Sequence, residues 1–250
     1  MVLDGKVALV TGAGQGVGQG IALALAAAGA RVAVTGRTEA KLAVSCNIIE
    51  ERGGTAIPLV CDVKSEQSLS QCVADVVAQF GGLNILVNNA QEVPLGTLHE
   101  VTEKSFTAGW ESGPLAVFRA MKLCYPHLKG DGCIINLASS SAKRWDVGGF
   151  GAYAATKEAI RALTRAAACE WGPQGIRSNA ILPLASSPGM AWWMENKGDE
   201  AAQFLGSVPL GRVGDCERDI GQFVVALCSD ASCYINGQSI GVDGGQALIG

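Results

Sequence analysis

Tyr153 and Lys157 stand four residues apart in GAYAATKEA, on one face if the segment is helical. A phenol with its pKa near about 10 is a poor acid or base at neutral pH. A neighbouring ammonium favours the phenolate and lowers that value. Such a pair can pass a proton to or from a reacting oxygen. The spacing alone is common by chance, so its setting matters. It follows an apolar run ending in hydroxyls, INLASSS, and lies far downstream of the glycine-rich VTGAGQGVGQG.

That glycine run does not match G-x-G-x-x-G. It matches T-G-x-x-x-G-x-G through Thr11, Gly12, Gly16 and Gly18, with Gln15 and Val17 between them. A tight turn without Cβ atoms lets backbone come close to a pyrophosphate at a helix N-terminus. After the next apolar run, VAVTGR, Gly36 occupies the place where a ribose-binding acid is usual, and Arg37 follows. A guanidinium there suits a 2′-phosphate, so NADP(H) is the preferred cofactor and NAD(H) stays open. Glu39 is an alternative acid, but it falls inside the next helical segment.

Composition narrows the setting. Hydrophobic residues make up 48% and charged residues 17%, which suits a well-buried globular core. The net charge of −4 leaves no nucleic-acid footprint. Nine scattered cysteines without a CxxC pair argue for buried reduced thiols, and no Cys/His cluster has metal-site spacing. His99 and His127 are the two histidines, which gives little support to a histidine-based triad. No apolar stretch is long enough to span a bilayer, and a cytoplasmic protein is expected.

Strand-like and helical segments alternate along the chain. Strands are predicted at 6–11, 31–36, 55–63, 83–90, 132–140, 176–183 and 237–245. Helices are predicted at 20–29, 39–54, 65–82, about 102–127, 153–172 and 215–230, with Ser65 as an N-cap and Gly29 as a stop. This alternation implies an α/β fold of Rossmann type, a doubly wound parallel sheet with helices on both faces. No linker interrupts 1–250, so one domain is expected.

Taken in order, these motifs resemble the short-chain dehydrogenase/reductase family over essentially the whole chain. CDV at 61–63 looks like the family's adenine-pocket pair, Asp62 and Val63, and NNA at 88–90 like its fourth-strand motif. VPLGRVGD and YINGQSIGVDGG resemble its C-terminal signatures. The resemblance implies a sheet of about seven strands, a homo-oligomer (dimer or tetramer) and a small-molecule substrate. It also implies hydride transfer between a nicotinamide and a secondary alcohol or ketone. Tyr153 would be the general acid/base, and Lys157 would lower its pKa and hold the nicotinamide ribose. A serine would bind the substrate oxygen. Ser139 keeps the strand register and Ser140 the commoner spacing to Tyr153, and Ser139 is preferred because loops absorb insertions more easily than strands. Asn89 and Ala90 would approach the cofactor, Asn89 through its backbone, while Asn179 is read as structural.

Three departures stand out. Gln91 replaces the glycine of N-N-A-G, where its side chain would narrow the cleft or point to solvent. In PLASSPGM, Leu184 replaces a glycine and Pro188 a threonine, leaving Ser186 or Ser187 to supply a hydroxyl. In AGWESGPLAVFRAM, anchoring V-N-x-x-G-x-F on Phe118 puts Gly113 at the Asn position. That Asn normally kinks the helix and holds a proton-relay water. Gly113-Pro114 can supply the bend, but Glu111 or Ser112 would have to replace the amide. Gly113→Asn is then expected to raise turnover if the relay limits it.

AWWMEN falls where the family has its mobile substrate lid, here about 186–210. Trp192 and Trp193, with Trp145 upstream, suggest an apolar or ring-bearing substrate, or else core or interface packing. Two other functions stay in view: a nucleotide-binding sensor or partner subunit with degraded catalysis, and a structural α/β module without cofactor.

Overall fold

A computed structural model describes residues 1–144 and 148–248. Trp145 lies outside the described residues. Seven parallel strands form one sheet: β1 (Val7–Thr11), β2 (Arg31–Gly36), β3 (Thr55–Val60), β4 (Ile85–Asn88), β5 (Gly132–Leu137), β6 (Ile176–Pro183) and β7 (Ser239–Val242). Their order is β3-β2-β1-β4-β5-β6-β7. The chain therefore winds outward from β1 to β3, returns to place β4 beside β1, and winds outward the other way.

The helices are α1 (Gly16–Ala27), α2 (Glu39–Glu51), α3 (Glu66–Phe80), α4 (Glu103–Trp110), α5 (Ala116–Leu128), α6 (Gly151–Trp171), α7 (Pro188–Asn196), α8 (Gly198–Gly206) and α9 (Gln222–Cys228). Along β1, Ala8 and Val10 join a core made with α1, α2 and α9, while Val7 and Leu9 join a second core made with α3, α5 and α6. Strands covered on both faces need continuous apolar runs rather than alternation, and β1, β4 and β5 are buried at every residue. Each fully buried leucine or isoleucine contributes about 1.5–3 kcal/mol. Pro58 is tolerated because β3 is an edge strand.

Caps fall where the sequence places them. The Ser65 hydroxyl accepts from the Ser68 N–H at 3.2 Å, and Gly81 ends α3 in a left-handed conformation. Strands β3, β4, β5 and β7 are shorter than expected, and α7 and α8 have no counterpart among the expected helices. The segment expected as one helix over 215–230 splits into a wide turn and α9. Two further helix boundaries differ for clear reasons. Helix α1 starts at Gly16, four residues early, because the glycines of the loop already form its first turn. The predicted helix over 102–127 is two helices joined by a widened turn at Glu111–Leu115. Pro114 has no N–H to give the preceding turn, and Gly113 takes non-helical angles (φ −95°, ψ −107°). The nine cysteines are free thiols, as expected, but only six are buried, since Cys216 is half-buried and Cys169 and Cys233 are exposed.

Helix α1 approaches the turn at 216–221 so closely that a Cβ on Gly20 would stand 2.3 Å from the carbonyl carbon of Cys216. Backbone cannot rotate away as a side chain can. Gly20→Ala is expected to cost about 1–3 kcal/mol and to lower Tm by several degrees in a calorimetric scan.

Candidate active site

Ligand crevices in open α/β sheets form outside the carboxyl ends of the strands, where the winding reverses. Here that point lies between β1 and β4, and a cleft of about 730 Å³ opens there. Its volume suits a small-molecule site. Gly12, Gln15, Gly16, Val17, Arg37, Asp62, Val63, Asn89 and Ala90 line one part, and Ser139, Tyr153 and Lys157 line another. Gly18 sits behind the loop, where a Cβ would come 2.5 Å from the Gly12 carbonyl oxygen.

The glycine loop is tied to β4. The Thr11 hydroxyl accepts from the N–H groups of Asn89 (2.9 Å) and Ala90 (3.1 Å). The Asn89 amide donates to the carbonyls of Thr11 (2.9 Å) and Gly12 (3.1 Å). Asn89 thus shapes the loop, and its N–H is committed to Thr11. Gly12 has φ +66°, which a side chain would strain. Gln15, at the N-cap of α1, makes no capping bond and instead accepts from Lys41 Nζ. The first N–H groups of α1 are therefore left without a side-chain acceptor, which suits a phosphate.

Beyond the end of β3, Asp62 folds its own turn, accepting from the Lys64 N–H at 3.0 Å. Glu92 pairs with both Arg37 (3.1 Å) and Lys64 (2.9 Å). The hydrogen bond with Glu92 raises the Lys64 pKa. Lys41, which donates to Gln15, also lines the cleft, as do Arg37 and Lys64. Glu92 was not singled out from sequence, because its approach to Arg37 spans two strands' loops.

At the other end, α6 carries Tyr153 and Lys157 past the end of β5. Lys157 Nζ lies 5.3 Å from the centre of the Tyr153 ring and donates to the Leu137 carbonyl. The Ser139 hydroxyl lies close enough to the Tyr153 phenol to lower its pKa. Ser140 instead donates to Gln246 at 2.9 Å. The expected lowering of the phenol is reversed: burial pushes Tyr153 up to about 12, and the nearby Ser139 hydroxyl offsets only part of that rise. Burial also pushes Lys157 down to about 7. Both groups lose water where they pack into the cleft wall, and desolvation disfavours the phenolate and the ammonium alike.

The departures resolve in unexpected ways. Gln91 lines the cleft, but its carboxamide does not point to solvent. It turns inward, and Nε2 donates to the Thr156 hydroxyl at 2.6 Å. A Cβ on residue 113 would lie 2.8 Å from that Nε2, so Gly113→Asn alone collides with Gln91 and the expected gain in turnover is withdrawn. Ser112 is already committed, accepting from the Glu92 N–H (2.9 Å) and donating to the Ala108 carbonyl (2.7 Å). Leu184 is buried, and Ser187 caps α7 by accepting from the Met190 N–H. Trp192 and Trp193 do not line the cleft. Trp192 is exposed, while Trp193 packs edge-on against Phe204 of α8 at 5.5 Å. Phe150, Met190 and Phe204 supply the apolar wall instead. Asn179 is structural, bridging the Ile235 carbonyl (2.9 Å) and the Gln238 N–H (3.0 Å).

A family model described as Enoyl-(Acyl carrier protein) reductase matches residues 12–247. The chain is 39% identical to a 12alpha-hydroxysteroid dehydrogenase of Clostridium sp., covering 98% of each chain. The chain belongs to the short-chain dehydrogenase/reductase family. It is also 37% identical to a tropinone reductase homolog of Arabidopsis thaliana, covering 99% of this chain and 81% of that one. Among solved structures, a variant of actinorhodin polyketide ketoreductase with NADPH superposes with a TM-score of 0.91 at 30% identity, covering 96% of this chain and 97% of that one. The family uses NAD(P)(H), and the loop and α1 N-terminus described above fit such a cofactor.

Lys157 has a pKa of about 7 in the fold against 10.5 for a free lysine. Between these values the unfolded chain holds more protons, so stability rises with pH. The penalty is full below about 7 and fades as pH approaches 10.5. Lys157→Met is expected to raise Tm at neutral pH and to flatten its rise from about pH 7 to 9, measured by thermal unfolding across that range.

Proposed function

We propose that the protein transfers a hydride between NADP(H) and a secondary alcohol or the corresponding ketone on an apolar, ring-bearing small molecule. The observation that carries this reading is the convergence of Ser139, Tyr153 and Lys157 at one end of a cleft whose other end is the glycine loop. When bound, the nicotinamide cofactor supplies or accepts the hydride. In the reducing direction the carbonyl carbon gains the hydride, and its oxygen needs a proton. Tyr153 donates that proton, because its phenol is held neutral by burial. Ser139 steadies the same oxygen through its hydroxyl. Lys157, titrating near neutrality, returns a proton to the phenolate. The oxidising direction reverses each step.

Arg37, Lys41 and Lys64 support NADP(H) over NAD(H), since a 2′-phosphate would meet three cations and displace Glu92 from its pairs. Phe150, Met190 and Phe204 support an apolar substrate. A steroid, tropinone or polyketide in the relatives' names is consistent with a ring. Residues 1–250 act in this reading as one dinucleotide-binding domain, with 186–210, including α7 and α8, as its substrate lid. Exposed Phe106, Trp110 and Phe118 suit a homo-oligomer. Nine free thiols suit the cytoplasm, and among the described residues no helix is long and apolar enough to cross a membrane.

Tyr153→Phe is expected to reduce NADPH oxidation with cyclic ketones by about 10²–10⁴-fold while NADPH still binds. Unchanged turnover would remove Tyr153 from the chemistry. Arg37→Ala is expected to weaken NADPH binding by about 10–100-fold and to leave NADH binding nearly unaltered. Equal effects on the two cofactors in a fluorescence titration would reverse the cofactor assignment.

A further inference from the structure

Gln91 and Gly113 depart from the family pattern 22 positions apart in the chain, yet they meet in space. Residue 113 has no Cβ, and the Gln91 carboxamide lies against the open position: a Cβ there would be 2.8 Å from Nε2 and 3.0 Å from Cδ. The orientation of that amide follows from its partner. The Thr156 hydroxyl gives its single proton to the Tyr153 carbonyl at 2.7 Å. It can therefore only accept from Gln91, which places the NH₂ on Thr156 and leaves the carbonyl end pointing elsewhere. Oε1 is sealed from solvent, and no donor among the described residues meets it. Buried acceptors of this kind are commonly completed by an internal water.

We propose that Gln91 is a positioning residue for the Tyr153–Lys157 pair. Its Nε2 pins the turn of α6 on which Tyr153, Thr156 and Lys157 stand, and its Oε1 accepts from a water held inside the cleft wall. The side chain that does this projects from the loop after β4, and Gly113 makes room for it. The glycine and the glutamine are then one exchange rather than two defects. This inference rests on the hydride-transfer reading above and deepens it.

Gln91→Met keeps most of the side chain's volume and loses both polar atoms. It is expected to lower kcat about tenfold or more, with KM within about twofold and Tm little changed. A side chain that merely fills space would leave kcat intact in this variant, and that result would overturn the proposal. The second arm exchanges the residues. Gly113→Asn alone is expected to lower kcat through its collision with Gln91. In the Gln91→Gly background the same substitution is expected to restore activity, a reversal of sign that a double-mutant cycle reads directly. A double variant no better than Gln91→Gly would also overturn it.

Failure of the hydride-transfer reading looks different, because the wild-type protein would then turn over no alcohol or ketone with either cofactor. A high-resolution crystal structure of the wild-type protein with NADPH decides the proposal in that event. Nε2 on Thr156 and an ordered water within hydrogen-bond distance of Oε1 would support it. An amide swung into solvent, or Oε1 facing only apolar groups, would overturn it.

Discussion

The Thr11 hydroxyl holds the molecule together where its winding reverses. It sits at the end of β1 and accepts two N–H groups from the chain leaving β4. From that point one crossover turns to α1 and the other toward α4, so no helix fills the space between them. The cleft is the consequence. Asn89 completes the link by binding the loop carbonyls from β4, which leaves the N–H groups of α1 facing outward. A change at this junction would disturb the glycine loop and the sheet together.

The two ends of the cleft use opposite electrostatics. The end beside Arg37 is open to water and pairs Arg37 and Lys64 with one carboxylate, Glu92, so its charges are screened and exchangeable. At the other end Lys157 is buried and Tyr153 partly buried in the cleft wall. There desolvation outweighs attraction: the phenol rises to about 12 and the amine falls to about 7. Near neutral pH the phenol therefore keeps its proton while the amine is close to its midpoint, and both are supported by carbonyl and hydroxyl dipoles rather than by counter-ions.

Much of the fold was legible because it depends on local chemistry. The Ser65 cap, the Gly81 stop and the buried runs of β1, β4 and β5 each follow from residue type at short range. The site was legible where a motif spans a single turn, as in the glycine loop or the Tyr153/Lys157 helix. It was not legible where the partner comes from another element. Gln91 appeared to be an obstruction and Gly113 a loss, because nothing in their spacing says that they touch. The tryptophans 192 and 193 misled for a related reason: composition marks an apolar segment, but only the packing of α7 on α8 decides which residue faces the cleft.

The sequence by itself determined the alternation of strands and helices, the glycine-rich turn and the spacing of Tyr153 and Lys157, since each is encoded within a few neighbouring residues. Only the tertiary structure decided that Ser139 rather than Ser140 meets Tyr153, that Glu92 holds Arg37, and that Gln91 occupies the space Gly113 leaves. Those outcomes depend on distances between segments far apart in the chain. Desolvation, the largest influence on the reactive pair, likewise arises only once the whole fold has closed around it.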